Sequence, residues 1–253
     1  MSEIRLKLHP RQSLAFLSKA TEILYGGAAG GGKSHLMRVV AIMLCMAVAG
    51  LQVYIFRRVS DDLRKNHLEG SSGLRAMLAS LTDSGHCKFN DTKGIFEFWN
   101  GAKIYLCHCQ HEKDMYKYQG AEIHVLLMDE LTLFTEAIYR FLRGRVRLGG
   151  LNVPSEYKHK LPLVLCGSNP GNIGHVWVKK MFVDYAPPME ITRTPAAEGG
   201  MLRQYIPAKL ADNPTLAAND PDYEARLAGL GNPALVAAMK NGDWDIIDGA
   251  YFS

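Results

Sequence analysis

Little in this chain points away from an aqueous, reducing setting. Its five cysteines (45, 87, 107, 109 and 166) are odd in number and follow no framework spacing, which excludes a disulfide-stapled scaffold. Long hydrophobic runs are missing too. The longest, Val39 to Leu51, is too short to span a bilayer, and Met1 to Leu8 is short and charged, unlike a signal peptide. There are no internal repeats, low-complexity tracts or long linkers. A net charge of +4 permits a polyanionic partner without arguing for one. With 47% hydrophobic and 21% charged residues in 253, the chain can bury a core in one large or two modest domains.

Glycine, by contrast, is plentiful and locally concentrated. Tyr25 to Ser34 reads YGGAAGGGKS. From Gly27 the order Gly27, Ala28, Ala29, Gly30, Gly31, Gly32, Lys33, Ser34 matches the phosphate-binding P-loop. Glycines let the backbone turn tightly and bring its N–H groups to phosphate oxygens. Lys33 supplies a cation for the terminal phosphates and Ser34 a hydroxyl ligand for Mg2+. An apolar stretch, Thr21 to Tyr25, predicts a strand before the loop, and His35 to Val48 predicts a helix after it whose positive end faces the same phosphates.

The remaining pattern is that of an α/β protein with a mostly parallel central sheet. Pro10 starts a helix that carries Gln12, whose amide could pair with an adenine edge. Gln52 to Phe56 predicts a second strand, followed by Arg57 and Arg58 and by a helix capped at Ser60 that runs to about Leu68. A further helix is expected from Leu74 to Leu81. His86 to Cys109 alternates with turn signals, including Asn100-Gly101, which predicts an antiparallel insertion whose last strand joins the main sheet. Cys107-His108-Cys109 has residue types suited to metal, but the alternation puts both cysteines on one buried strand face. Ile123 to Met128 and Leu161 to Cys166 are fully apolar, as strands covered on both faces must be. A helix from Thr135 to Leu148 would carry Arg140, Arg143, Arg145 and Arg147. Gln204 to Ile206 suggests a last strand, 211–214 a turn, and 220–227 and 233–240 two short helices.

Two carboxylates end the first of those buried strands. Asp129 is placed to hold Mg2+, mostly through water, and Glu130 to polarise an attacking water. A catalytic carboxylate beside the metal aspartate favours ATP hydrolysis over transfer to a substrate hydroxyl. Ser168-Asn169 ends the next buried strand, in the crevice where ligands sit in such sheets, and could sense the γ-phosphate. Arg57, Arg58, Arg143, Arg145 and Arg147 are candidate transition-state arginines, among which residue type does not choose. Lys158-His159-Lys160, Lys179-Lys180 and Arg64-Lys65 are candidate phosphate-backbone contacts.

The order of these pieces resembles the ATPase part of the large terminase subunits of tailed bacteriophages. The likeness rests on Gly26 to Ser34, on Tyr118 to Glu122 with Leu127 to Phe134, on Phe141 to Arg147, on Gly167 to Pro170, and on Ile206 to Pro214 with Gly242-Asp243-Trp244. It implies a RecA-like P-loop ATPase of the additional-strand, catalytic-glutamate type with a small C-terminal helical lid. Residues 1–200 would form the core, and 201–253 the lid and the start of a linker. It implies Gln12 on adenine, Lys33 and Ser34 on phosphate and Mg2+, Asp129 and Glu130 as metal ligand and base, and Ser168 and Asn169 coupling hydrolysis to movement. Many family members carry an Arg-Gly pair just before the strand that ends in Asp129-Glu130; here the pair is Gln119-Gly120, which leaves Arg58 and Arg143 as the arginines favoured for the finger. ATP and Mg2+ would be the cofactors. Double-stranded DNA, the portal protein and the small terminase subunit would be the partners of a homo-oligomeric ring, a pentamer, in the host cytoplasm and docked transiently on the procapsid, away from any membrane. The family continues into a nuclease domain, and nuclease activity is not expected of this chain. The alternatives are a non-motor P-loop phosphotransferase, another RecA-like DNA-dependent ATPase, and a nucleotide-binding switch that hydrolyses poorly.

Overall fold

A computed structural model describes residue 4, residues 6–229 and residues 233–245. Among the described residues, nine strands form one mostly parallel sheet: β1 (Glu22–Gly27), β2 (Gln52–Arg57), β3 (Cys87–Asn90), β4 (Ile95–Phe98), β5 (Lys103–His108), β6 (Val125–Asp129), β7 (Leu163–Ser168), β8 (Ile191–Arg193) and β9 (Leu202–Ala208). Their order is β3-β4-β5-β2-β6-β7-β1-β9-β8. The chain divides into two compact units, which alternate along the sequence. One comprises residues 1–8, 34–129 and 137–165, the other residues 9–33, 130–136 and 166–253.

In the first unit, β2 pairs in parallel with β5 and with β6, in a register that sets Phe56 opposite Met128. Hydrophobic side chains on β2 and β6 are buried, as central strands require. β3, β4 and β5 form the expected antiparallel insertion, with β5 entering the parallel sheet. Cys107 and Cys109 are both buried at the end of that strand. The helix α2 (Lys33–Ala47) follows the glycine loop and is apolar on most faces, consistent with its burial.

Three local expectations change here. Ser60 is the first helical residue and makes no side-chain cap, and the helix Ser60–Leu63 passes into a π-helical turn, Arg64–Leu68. Where one helix was expected after Gly73 there are two, Leu74–Met77 and Ala79–Asp83, broken at Leu78. The arginine-bearing helix spans only Glu136–Arg143. Gly144 follows it, and Val146 then pairs with Ile123 as an isolated bridge, so Arg145 and Arg147 lie beyond the helix.

In the second unit, β1 pairs in parallel with β9, and β9 antiparallel with β8. The register sets Glu22 opposite Arg203, and their side chains form an ion pair at 2.7 Å with both groups buried. The segment read as a turn before 214 continues into a helix, Pro214–Asn219, with Pro214 in its first turn and Asn213 accepting the Leu216 N–H at its cap. Tyr223–Ala228 and Pro233–Asn241 complete the small helical region. The linker expected toward residue 253 lies outside the described residues. No helix among the described residues is long and apolar enough to cross a membrane.

Candidate nucleotide-binding site

The glycine loop lies in the second unit up to Lys33. Gly30 and Gly32 have φ of +74° and +76°, and this alternation of handedness turns successive N–H groups to one side, the form of an anion-binding nest. Several of the loop's carbonyl oxygens are held by protein donors. Tyr25 Oη donates to Gly31 O at 3.1 Å, Asn213 Nδ2 to Gly30 O at 2.6 Å and Gln12 Nε2 to Gly32 O at 2.8 Å. Gln12 is buried, and its Oε1 also accepts the His9 N–H at 2.8 Å. Its amide therefore braces the loop, an engagement that adenine reading alone would not require.

The C-terminal segment closes on the same loop. Ala28 N–H donates to Ala208 O at 3.0 Å and Ala29 N–H to Met239 O at 2.7 Å. The φ of +74° favours glycine at Gly30, and a Cβ there would come within 2.7 Å of a Leu210 methyl and 2.8 Å of a Leu216 methyl, so these covering side chains would have to shift. Trp244 donates its indole N–H to Tyr205 Oη at 3.1 Å, and its ring stacks on His175.

Lys33 is buried, and its Nζ donates to Ala28 O at 3.1 Å and to Asn169 Oδ1 at 2.6 Å. Asn169 belongs to a second cluster. Its carbonyl accepts from Thr132 Oγ1 at 3.1 Å, and Ser168 Oγ accepts the Thr132 N–H at 3.1 Å. Thr132 thus ties the turn after Glu130 to the Ser168-Asn169 pair, and Asn169 ties that pair to Lys33. Glu130 sits at φ +56°, ψ +59°, a left-handed conformation rare for a residue with a Cβ and often found at functional sites.

Within the first unit, Asp129 is fully buried at the end of β6. Its Oδ2 receives three hydrogen bonds, each at 2.9 Å: from Ser34 Oγ, Arg57 Nε and His67 Nε2. Burial alone would raise the carboxyl pKa, but the hydrogen bond from His67, the charge of Arg57 and the hydrogen bond from Ser34 outweigh it and hold Asp129 ionised. Burial pushes the His67 pKa below its ordinary value, against the opposing pull of the Asp129 carboxylate that its Nε2 contacts. Arg38 is buried nearby, donates from Nη1 to Asn66 O at 2.6 Å, and interacts electrostatically with both Asp129 and Arg57. Asp129 Oδ1 is buried with no hydrogen-bond partner.

Of the residues picked out in the sequence, Lys33 and Asn169 meet in one unit, and Ser34 and Asp129 in the other. The hydrogen bond from the end of β2 to Asp129 comes from Arg57, with Arg58 half-buried beyond it. Arg143 lies at the end of its helix with its guanidinium 5.6 Å from the Tyr139 ring. Among the basic candidates, Lys160 is buried, its pKa lowered to about 8 by desolvation, and Lys179 is paired with Asp184 and Asp245. His67, Arg38 and Thr132 escaped the sequence reading. His67 reaches Asp129 only through the π-helical turn, and such turns cluster at functional sites.

No protein-family model and no curated protein matches the chain. Solved structures do. The large terminase of a thermophilic bacteriophage aligns at TM-score 0.66 and 14% identity, over 94% of this chain and 54% of that one. That terminase has also been solved with ADP and with ATP-γ-S. The large terminase ATPase domain of Thermus phage P74-26 aligns at TM-score 0.60 and 12% identity, over 94% of both chains. The HK97 bacteriophage large terminase aligns at 0.55 and 13%, over 93% of this chain and 50% of that one. This chain therefore spans about half the length of the first and last of these terminases. Its fold is that of the ATPase domains of bacteriophage large terminases.

Proposed function

We propose that this chain hydrolyses ATP to drive double-stranded viral DNA into a procapsid, as the ATPase motor of a large terminase. The observation that carries the hydrolytic half of this reading is the connected set Lys33–Asn169–Thr132–Ser168, which links a phosphate-binding lysine to the turn that bears Glu130. In the reading, the nest at Gly30 to Ser34 and the Lys33 ammonium bind the β- and γ-phosphates. Lys33 would exchange its bond to Asn169 for one to phosphate, leaving Asn169 to report whether the γ-phosphate is present. Glu130 accepts a proton from the attacking water, which its strained backbone holds in one orientation. The donors at the metal position fit a hard divalent cation: the Ser34 hydroxyl, the ionised Asp129 carboxylate, and an Oδ1 that has no other partner. Mg2+ bound there would neutralise charge on the phosphates.

The motor half rests on the fold shared with the phage terminases. A ring of copies, with the portal protein and the small terminase subunit as partners, is part of the same proposal. So is a cytoplasmic site of action with transient docking on the procapsid. The transition-state arginine is assigned to Arg143 or Arg58 in that ring.

The test measures phosphate release with and without double-stranded DNA, beside the Lys33→Ala variant. DNA-stimulated release that Lys33→Ala lowers by about a hundredfold or more is expected. Transfer of phosphate to an added acceptor, with no free phosphate, would replace this reading with a phosphotransferase. Wild-type turnover in Lys33→Ala would remove the site.

A further inference from the structure

One surface of the first unit carries aromatic rings and charge that the hydrolytic reading does not use. Tyr116 is 58% exposed on the 3₁₀-helix Glu112–Tyr118, a large ring left in water. Residues three apart eclipse in such a helix, so the exposed Lys113 stands on the same edge. The Tyr116 ring meets the half-buried Phe141 ring edge-on, with centroids 5.5 Å apart and planes at 75°. The Arg145 guanidinium lies over Phe141 at 4.7 Å, and its Nη1 donates to Gln119 O at 3.2 Å. These contacts hold the guanidinium in place without neutralising it, since Arg145 has no carboxylate partner among the described residues. Arg75 also lies over a ring, that of Phe89, but its charge is met by Asp91 at 2.8 Å.

The charge around this cluster has one sign. Residues 137–165 contain six Lys and Arg and a single acid, Glu156. The first unit as a whole holds 19 of the 29 Lys and Arg but 12 of the 25 Asp and Glu, which gives it +7 and leaves the second unit −3. A polyanion is therefore drawn to the first unit. A fixed cation beside an exposed aromatic ring also selects among polyanions. Phosphate satisfies the cation, and an unpaired base offers the ring a flat face to stack on. In a blunt duplex the bases stack on each other, and that face is closed. We propose that Tyr116, Phe141 and Arg145, with Lys113 at the rim, bind a single-stranded segment of nucleic acid, with Tyr116 stacking on an unpaired base and Arg145 pairing with an adjacent phosphate. The motor reading needs only contact with a duplex backbone, so this inference goes beyond it and does not depend on ATP turnover.

The probe is a short fluorescein-labelled oligothymidine, beside a blunt duplex of the same length, titrated with the full chain without ATP and followed by fluorescence anisotropy. Wild type is expected to bind the oligothymidine with an affinity that falls as salt rises. Tyr116→Ala is expected to weaken that binding about tenfold without changing the salt slope, and to leave duplex binding within about twofold of wild type. Tyr116→Phe keeps the ring and should match wild type. Arg145→Gln should weaken oligothymidine binding and reduce its salt slope by about 0.7, the share of one phosphate contact on a single strand. Because Tyr116 is exposed, Tyr116→Ala should unfold at the wild-type temperature, so that lost binding is not lost folding. Wild-type affinity of Tyr116→Ala for the oligothymidine would overturn the inference. So would equal losses on single strand and duplex, or no binding of the oligothymidine by wild type. Self-association of wild type that Tyr116→Ala abolishes, with oligothymidine binding unchanged, would overturn it in favour of a second copy of this chain.

Discussion

Glu130 shows what a single residue can and cannot reveal in sequence. Its place one residue after Asp129 suggested a base, and that is a matter of order along the chain. Its backbone, at φ +56°, is a property of the fold. The turn from Glu130 is held by Thr132, which bonds to both Ser168 and Asn169. A Glu130→Gln substitution keeps size and hydrogen bonding but removes the proton acceptor. ATP affinity, measured by calorimetry, should stay within about threefold of wild type, while single-turnover hydrolysis falls by about a hundredfold or more. Rapid cleavage by this variant would exclude Glu130 as base. Asp129 carries the opposite lesson. Its place at a buried strand end could be read from type and position, but its neighbours Arg38 and His67 come from α2 and from a π-helical turn whose local sequence carries no motif.

Among the elements, β1 and β9 have the clearest energetic dependence on each other. Their parallel pairing places Glu22 against Arg203, whose Nη1 also donates to Met181 O at 2.9 Å and whose guanidinium lies 5.2 Å from the Phe182 ring and 4.8 Å from that of Tyr185. Removing Glu22 leaves the buried guanidinium with only the partly exposed Glu198 carboxylate, 3.5 Å away. Glu22→Ala is expected to lose about 3–5 kcal/mol in urea unfolding, and pairing Glu22→Leu with Arg203→Met to recover much of it. A double variant no more stable than Glu22→Ala would show that the ion pair is not what links these strands. The C-terminal segment offers a second case. Gly242 has φ +70°, and a Cβ there would come within 2.7 Å of the Gly27 carbonyl carbon and 2.8 Å of Ala28 N. Gly242→Ala is therefore expected to lower stability by about 1–3 kcal/mol and to weaken ATP binding, because the strain falls on the P-loop itself. Unchanged ATP affinity in a thermally weakened Gly242→Ala would separate this segment from the site. Buried strands and the helix α2 were legible because burial on both faces demands unbroken apolar runs. The arginine helix was over-extended because helical spacing continues past Arg143, while tertiary pairing of Val146 with Ile123 stops it.

For the molecule as a whole, the proposed motor makes one demand that a lone chain cannot meet. If Arg143 completes a neighbour's site, specific ATPase activity should rise with protein concentration, and Arg143→Ala should remove that rise while leaving ATP affinity nearly unchanged. Steady-state rates across a wide concentration range test this. Activity that scales linearly with enzyme, in both wild type and Arg143→Ala, would place the arginine in cis or in the fold. The terminases of the thermophilic bacteriophage and of HK97 run to about twice the length aligned here. The ATPase domain of the P74-26 large terminase is matched over 94% of its own length.

By itself, the sequence determined the α/β class and the antiparallel insertion, and it placed the glycine loop and the paired carboxylates at strand ends, because each is written in contiguous residues whose spacing or burial demands one local structure. Only the tertiary structure decided what surrounds those groups. It brought Asn169 to Lys33, Arg57 and His67 to Asp129, and the C-terminal glycine against the loop. Those contacts join residues far apart in the chain. They depend on strand register and on turns that burial and backbone hydrogen bonding select, and no local spacing encodes either.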